Sequence, residues 1–195
     1  MKRLILTGGR PWLAGEGGKD FVDAVLRYLP NEVKLAFCIF AQPKSEWEET
    51  RRINMDMFEA CKKGHTITYR TLTMENFAEV SAWADIVYLP GGNPFALYTA
   101  VTAAGDVAKL WDGKLMAGSS AGADVFCAGF TYLQDKTFGH GLGWVPATCI
   151  PHWQSDFNGY TDADWDWAEQ ESLRQFPALP VLCLPETKCV ELTVK

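Results

Sequence analysis

Lys114-Leu115-Met116-Ala117-Gly118-Ser119-Ser120-Ala121-Gly122-Ala123 is the stretch that decides how this chain reads. An apolar run meets a run of very small residues, the sequence of a strand turning sharply into a helix. Ser120 stands at the centre of Gly118-Ser119-Ser120-Ala121-Gly122, a Gly-x-Ser-x-Gly turn. Small neighbours let such a turn close and leave the serine hydroxyl presented at its tip. The helix start directs free amides and a partial positive charge toward a developing oxyanion. An ordinary tight strand-to-helix connection would carry the same letters; the strand before and the helix after are what make Ser120 a candidate nucleophile.

Working outward, short apolar runs alternate with longer amphipathic segments, the pattern of a parallel sheet with helices on its faces. Strands are expected over 3–7, 33–40, 66–72, 86–89 and 114–117. Helices are expected over 21–28, 45–62, 75–84 and 94–104, with another beginning just after Ser120. Glycine turns follow two of the strands, Gly8-Gly9 and Pro90-Gly91-Gly92-Asn93. From Gly129 onward the alternation weakens. A short strand at 149–151, a helix over 163–176 and a terminal strand pair, 181–184 with 190–194, complete the reading. No repeat, low-complexity tract or linker interrupts it, so a single domain over residues 1–195 is expected.

Composition narrows the function. The chain is 48% apolar and 22% charged with net charge −6, which reads as globular and argues against nucleic acid or an anionic membrane as partner. The six cysteines contain no Cys-x-x-Cys and most lie in apolar runs, so buried reduced thiols are expected. Leu4-Ile5-Leu6 is too short for a signal-peptide core and no run approaches a membrane span; the cytoplasm is the expected compartment. The histidines are scattered, so neither a metal nor another cofactor is expected. Gly15-Glu16-Gly17-Gly18-Lys19-Asp20 fails as a phosphate loop, with Leu13 and Asp20 where glycine and a hydroxyl residue belong.

A serine nucleophile needs a base, and histidine is best poised near neutral pH. His65 reads as a surface residue at the far edge of the sheet. His140 lies in Phe138-Gly139-His140-Gly141, and His152 follows Ile150-Pro151 and precedes Trp153. Taken together, Gly91-Gly92-Asn93, the serine turn and Pro151-His152 resemble peptidase E, the family of aspartyl dipeptidases and their cyanophycinase relatives. The resemblance runs from Met1 to about Val190. It implies a class I glutamine amidotransferase-like, flavodoxin-like fold: an α/β three-layer sandwich with a mainly parallel central sheet.

The resemblance also selects His152 over His140 as base and places the third, orienting carboxylate at Asp135, with Glu186 in reserve. Leu184-Pro185-Glu186-Thr187 is similar to the family's Asp-Glu-Gly-Thr turn, with proline for aspartate and lysine for glycine. Gly92 and Ala121 are the expected oxyanion donors, and Asn93, Trp153 and Arg174 the expected substrate-binding residues. The implied activity is a serine peptidase that removes an N-terminal residue from short peptides. Such a family favours aspartate, held by an arginine after the catalytic histidine. Here residues 154–167 hold four aspartates and no basic residue, so a free or basic amine is expected to be favoured instead, with Arg174 or Arg10 as reserve cations.

Expected partners are therefore a short peptide substrate, with a homodimer left open, and neither nucleic acid nor a membrane. Two alternatives remain at this point: a divergent, non-catalytic member binding a peptide or metabolite in the same cleft, and an α/β-hydrolase-like esterase, for whose later strands little chain follows Ser120. A glutamine amidotransferase would need cysteine at 120.

Overall fold

The computed structural model describes residues 2–194; Met1 and Lys195, the ends of the expected domain, lie outside the described residues. Among the described residues, six strands form the main sheet: β1 (Lys2–Thr7), β2 (Glu32–Phe37), β3 (Thr66–Thr71), β4 (Ile86–Leu89), β5 (Leu115–Ser119) and β10 (Cys189–Val194). Their order is β10-β1-β5-β4-β2-β3, parallel throughout except for β10, which runs antiparallel to β1.

The strands are apolar on both faces because both faces are covered. Ile5, Leu35, Phe37, Tyr88 and Ala117 point to one side, against α1 (Lys19–Leu26) and α2 (Trp47–Cys61) through Phe21, Val25 and Phe58. Leu4, Leu6, Ala36, Val87, Leu89 and Met116 point to the other, the alternation a pleated strand imposes. There they meet α3 (Phe77–Trp83), α4 (Pro94–Ala103), α5 (Val107–Leu110) and α6 (Ala121–Phe126) through Phe77, Leu97, Val107 and Phe126. The result is the expected three-layer α/β sandwich. Fully buried Trp111 keeps its indole N–H satisfied by donating to Ser81 Oγ at 2.9 Å.

A second sheet, missed in the sequence, lies beyond α6: β6 (Cys127–Tyr132), β7 (Thr137–His140), β8 (Val145–Ile150) and β9 (Val181–Cys183), in the order β7-β6-β8-β9. The expected terminal strand pair does not form. β9 joins β8 in this second sheet, whereas β10 crosses back to close the edge of β1. The physical reason is burial. The run Leu4-Ile5-Leu6 is fully buried and needs a neighbour on each side, while Pro185 in the connection has no N–H to give a tight hairpin ladder. The last helix, α7 (Asp162–Gln175), packs Trp165 and Ala168 on Ile150 of the second sheet.

All six cysteines are free; Cys38, Cys127 and Cys149 are fully buried and the other three half-buried. No helix is long and apolar enough to cross a membrane among the described residues.

Candidate active site

The carboxyl ends of parallel strands carry the site, as is usual in open α/β sheets. Ser120 follows β5 with φ 51° and ψ −115°, a backbone conformation that costs energy for any residue with a Cβ. The turn is held by Ser120 N–H donating to Thr7 O at 3.1 Å and by the Ala123 and Asp124 N–H groups donating to Ser120 O. Gly122 is required by close approach: a Cβ there would stand 1.9 Å from Leu89 O. The strained serine turn read from the sequence is therefore present, with α6 following it.

His152 follows β8, itself in the left-handed region at φ 56°, and its N–H donates to Gly8 O at 2.8 Å. The imidazole thus lies against the end of β1. Its Nε2 is 2.9 Å from Ser120 Oγ, and its Nδ1 is hydrogen-bonded to Glu186 Oε1. A carboxylate at Nδ1 assigns the ring proton there, leaving Nε2 to accept from the serine hydroxyl. Phe157 stacks on the ring at 3.8 Å between centroids, nearly parallel. Burial lowers the His152 pKa from its ordinary value; the Glu186 hydrogen bond opposes that shift, and the charge of Arg10 adds to it.

Glu186 is 3% exposed, and a carboxylate buried to that extent needs hydrogen-bond and charge partners. Its Oε2 accepts from the Arg10 guanidinium, which also reaches Asp156. Arg10 lies over the Phe157 ring as well, so one side chain braces both the acid and the aromatic cover of the base.

A cavity of about 400 Å³ opens beside Ser120 and His152, lined in part by Gly92, Asn54, Tyr132 and Tyr160. Among the described residues no group of three or more His, Cys, Asp or Glu side chains is arranged to hold a metal ion.

The sequence expectations divide cleanly on this geometry. Ser120 and His152 are brought together, Gly92 lines the same cavity, and Ala121 begins α6 directly after Ser120. Asp135 is not brought in. It lies exposed on the turn of the β6–β7 hairpin, and Glu186 holds the position expected for it. Arg174 is likewise displaced: it projects from the last turn of α7, exposed, and pairs with Glu171 at 2.7 Å. Asn93 caps α4 by accepting from Ala96 N–H at 3.0 Å. Trp153 packs against Trp165 at 5.7 Å in the small core under α7 rather than facing the cavity.

The expected acidic rim also contracts. Asp164 closes a capping box with Thr161 and pairs with Lys136 at 3.0 Å, and Asp162 lies in the same first turn. Asp166 is exposed further along the same helix, and Asp156 is already engaged by Arg10. His140 is exposed near Phe138 and Phe176, and His65 binds Pro30 O at 3.0 Å on the far edge. Sequence reasoning missed the bracing role of Arg10 and the stacking of Phe157. The Leu184-Pro185-Glu186-Thr187 turn carries the sequence signal for the carboxylate that meets His152 Nδ1.

The fold is similar to that of two solved structures. A peptidase from an acI-B1 Actinobacterium superposes with a TM-score of 0.68 at 17% identity, over 98% of this chain and 83% of that one. A putative peptidase E from Listeria monocytogenes EGD-e superposes with a TM-score of 0.72 at 18% identity, over 98% of this chain and 94% of that one. No curated protein matches. The model of peptidase family S51 matches residues 4–194, nearly the whole chain, so this protein belongs to peptidase family S51 and is a serine peptidase.

Proposed function

We propose that this peptidase removes the N-terminal residue from short peptides in the cytoplasm, through a Ser120-His152-Glu186 triad and an acyl-enzyme. The observation that carries the reading is the hydrogen-bonded relay from Ser120 Oγ through His152 to buried Glu186. Ser120 Oγ attacks the scissile carbonyl while His152 Nε2 takes its proton; Glu186 stabilises the imidazolium that forms. The oxyanion is held by the Gly92 and Ala121 N–H groups, His152 returns the proton to the leaving amine, and water then frees the acyl group by the same steps in reverse.

Strict preference for an N-terminal aspartate is not part of the proposal. The Arg10 guanidinium, which lines the cavity, is already shared by two carboxylates. Hydrolysis of X-Leu dipeptides with varied X, beside Ser120→Ala as control, tests both points. Cleavage confined to Asp-Leu and lost in Arg10→Ala would restore the aspartyl specificity.

The pH profile follows from the environment of His152. The base works only when neutral, and burial holds its pKa below the ordinary 6.5, so activity should persist as pH falls. The acid limb of kcat/KM is expected to have its midpoint below pH 6.5. A midpoint clearly above that value would contradict the buried-base assignment.

Gly9 offers a test of positioning. It has φ +126°, and a Cβ there would lie 2.1 Å from the His152 ring. Gly9→Ala must push the imidazole off Ser120 Oγ. A displacement of about 1 Å in such a relay costs roughly 10²-fold. The fall should appear in kcat with KM little changed, and a rate within threefold of the parent would show that the ring has room to move.

A further inference from the structure

One helical turn beyond Ser120, the cavity carries a polar pair that the hydrolytic relay does not use. Asp124 lines the cavity, is 2% exposed, and its Oδ1 has no hydrogen-bond partner. Thr131 on β6 lines the same cavity, is equally buried, and its Oγ1 also has no partner. Unsatisfied buried polar atoms are few in native proteins, and each needs a reason. An acidic residue in the first turn of a helix is ordinarily explained by the helix dipole, but such a carboxylate is normally solvated or capping, and Asp124 Oδ1 is neither.

We infer that Asp124 and Thr131 are specificity-determining residues that accept an ammonium group carried by the substrate residue on the N-terminal side of the scissile bond. The inference rests on the serine-peptidase reading of this cavity. Charge balance supports it. Among the described residues lining the cavity, Arg10 is the one lysine or arginine, and it is engaged by Glu186 and Asp156. An acidic side chain entering the cavity would find no free cation, whereas an ammonium would find Asp124 without a counter-ion.

Reach fits as well. Four residues along a helix rise about 6 Å, within range of a substrate whose carbonyl lies at Ser120 Oγ. Burial pushes the Asp124 carboxyl well above the usual carboxylate range, with the Cys149 thiol pulling it back. A bound cation favours the charged form. The ammonium has two possible sources, the α-amine of the peptide or a lysine side chain, and the same experiment separates them.

Diphenyl aminoalkylphosphonates label a serine when its Oγ attacks phosphorus and phenoxide leaves, so the labelling rate reports how well the flanking residue is held. Four probes serve: an alanine analogue with a free amine, its N-acetyl form, an α-N-acetylated lysine analogue and a free-amine aspartate analogue. The native protein should take up the free-amine alanine probe at least tenfold faster than the acetylated one. Asp124→Asn should bring the two within about twofold through loss of the free-amine probe's advantage.

If the side-chain amine is the recognised group, the acetylated lysine probe keeps the advantage and loses it in Asp124→Asn. Should the Asn variant fail to fold, Thr131→Val must narrow the same ratio. No advantage over the acetylated alanine probe for either the free-amine alanine or the acetylated lysine probe, or preference for the aspartate analogue, overturns the inference while Ser120 remains a labelled nucleophile. Absence of labelling by any probe is a different result: it removes the serine-peptidase reading itself.

Discussion

Ser120→Ala is expected to lower kcat/KM for a cleaved dipeptide by at least ~10³-fold without unfolding the protein. Ser120 precedes α6, but its side chain makes no cap hydrogen bond to the helix, and its partner His152 Nε2 is left beside the solvent-accessible cavity rather than in a sealed core. Deleting the hydroxyl therefore removes the reacting atom and little stabilising contact. His152→Ala should cost a similar factor, because the alkoxide is not generated without the base. The double variant should be hardly slower than either single one, the non-additivity of groups that act as a unit. Rates and melting temperatures of the three proteins check this together. Multiplicative losses in the double variant, or a Ser120→Ala enzyme within tenfold of the parent, would remove the relay from the mechanism.

Glu186→Gln is the second large effect and decides between two carboxylates. The amide keeps the shape but presents either an N–H or a weaker acceptor to His152 Nδ1, losing control of the tautomer and of the imidazolium charge. Comparable acid-to-amide changes cost up to about 10⁴-fold in kcat, and a loss of 10³ or more is expected here. The acid limb of the pH profile should also move further down, since the Glu186 hydrogen bond is what raises the His152 pKa against burial. Asp135→Asn should stay within twofold of the parent, because that side chain is exposed on a hairpin turn and is not among the imidazole's hydrogen-bond partners. The reverse order would return the orienting role to Asp135.

The difference between those two acids marks the boundary between what chain order specifies and what it does not. Ser120 was legible because every requirement of its turn is local: an apolar strand, small residues that allow close approach, and a helix start, all within ten positions. The apolar runs of β1, β2, β4 and β5 were legible for the same reason, since burial on both faces writes a continuous hydrophobic stretch. His152 needed more. Three histidines compete, and the Pro151-His152 resemblance chose the one whose backbone N–H is held by Gly8 at the end of β1.

Glu186 lay outside local reasoning. Its position depends on β9 joining the second sheet while β10 returns to the first, and that divergence at Pro185 swings the intervening turn under the imidazole. Sequence-neighbouring strands were expected to pair with each other, and nothing in their residues says which sheet edge will take them. The same holds for Arg10, distant in sequence from both Asp156 and Glu186 and joined to them only by folding.

By itself, then, the sequence determined the layered α/β architecture and the strained serine turn, because these rest on periodicity and on contacts between near neighbours along the chain, while the resemblance selected His152. The tertiary structure alone decided which carboxylate meets His152 Nδ1, the arginine that braces it and the buried Asp124, whose Oδ1 has no partner, in the cavity. A buried charge is specified by what surrounds it in three dimensions, and those surroundings come from β1, α6, β6 and the turns after β8 and β9, which only the completed fold brings together.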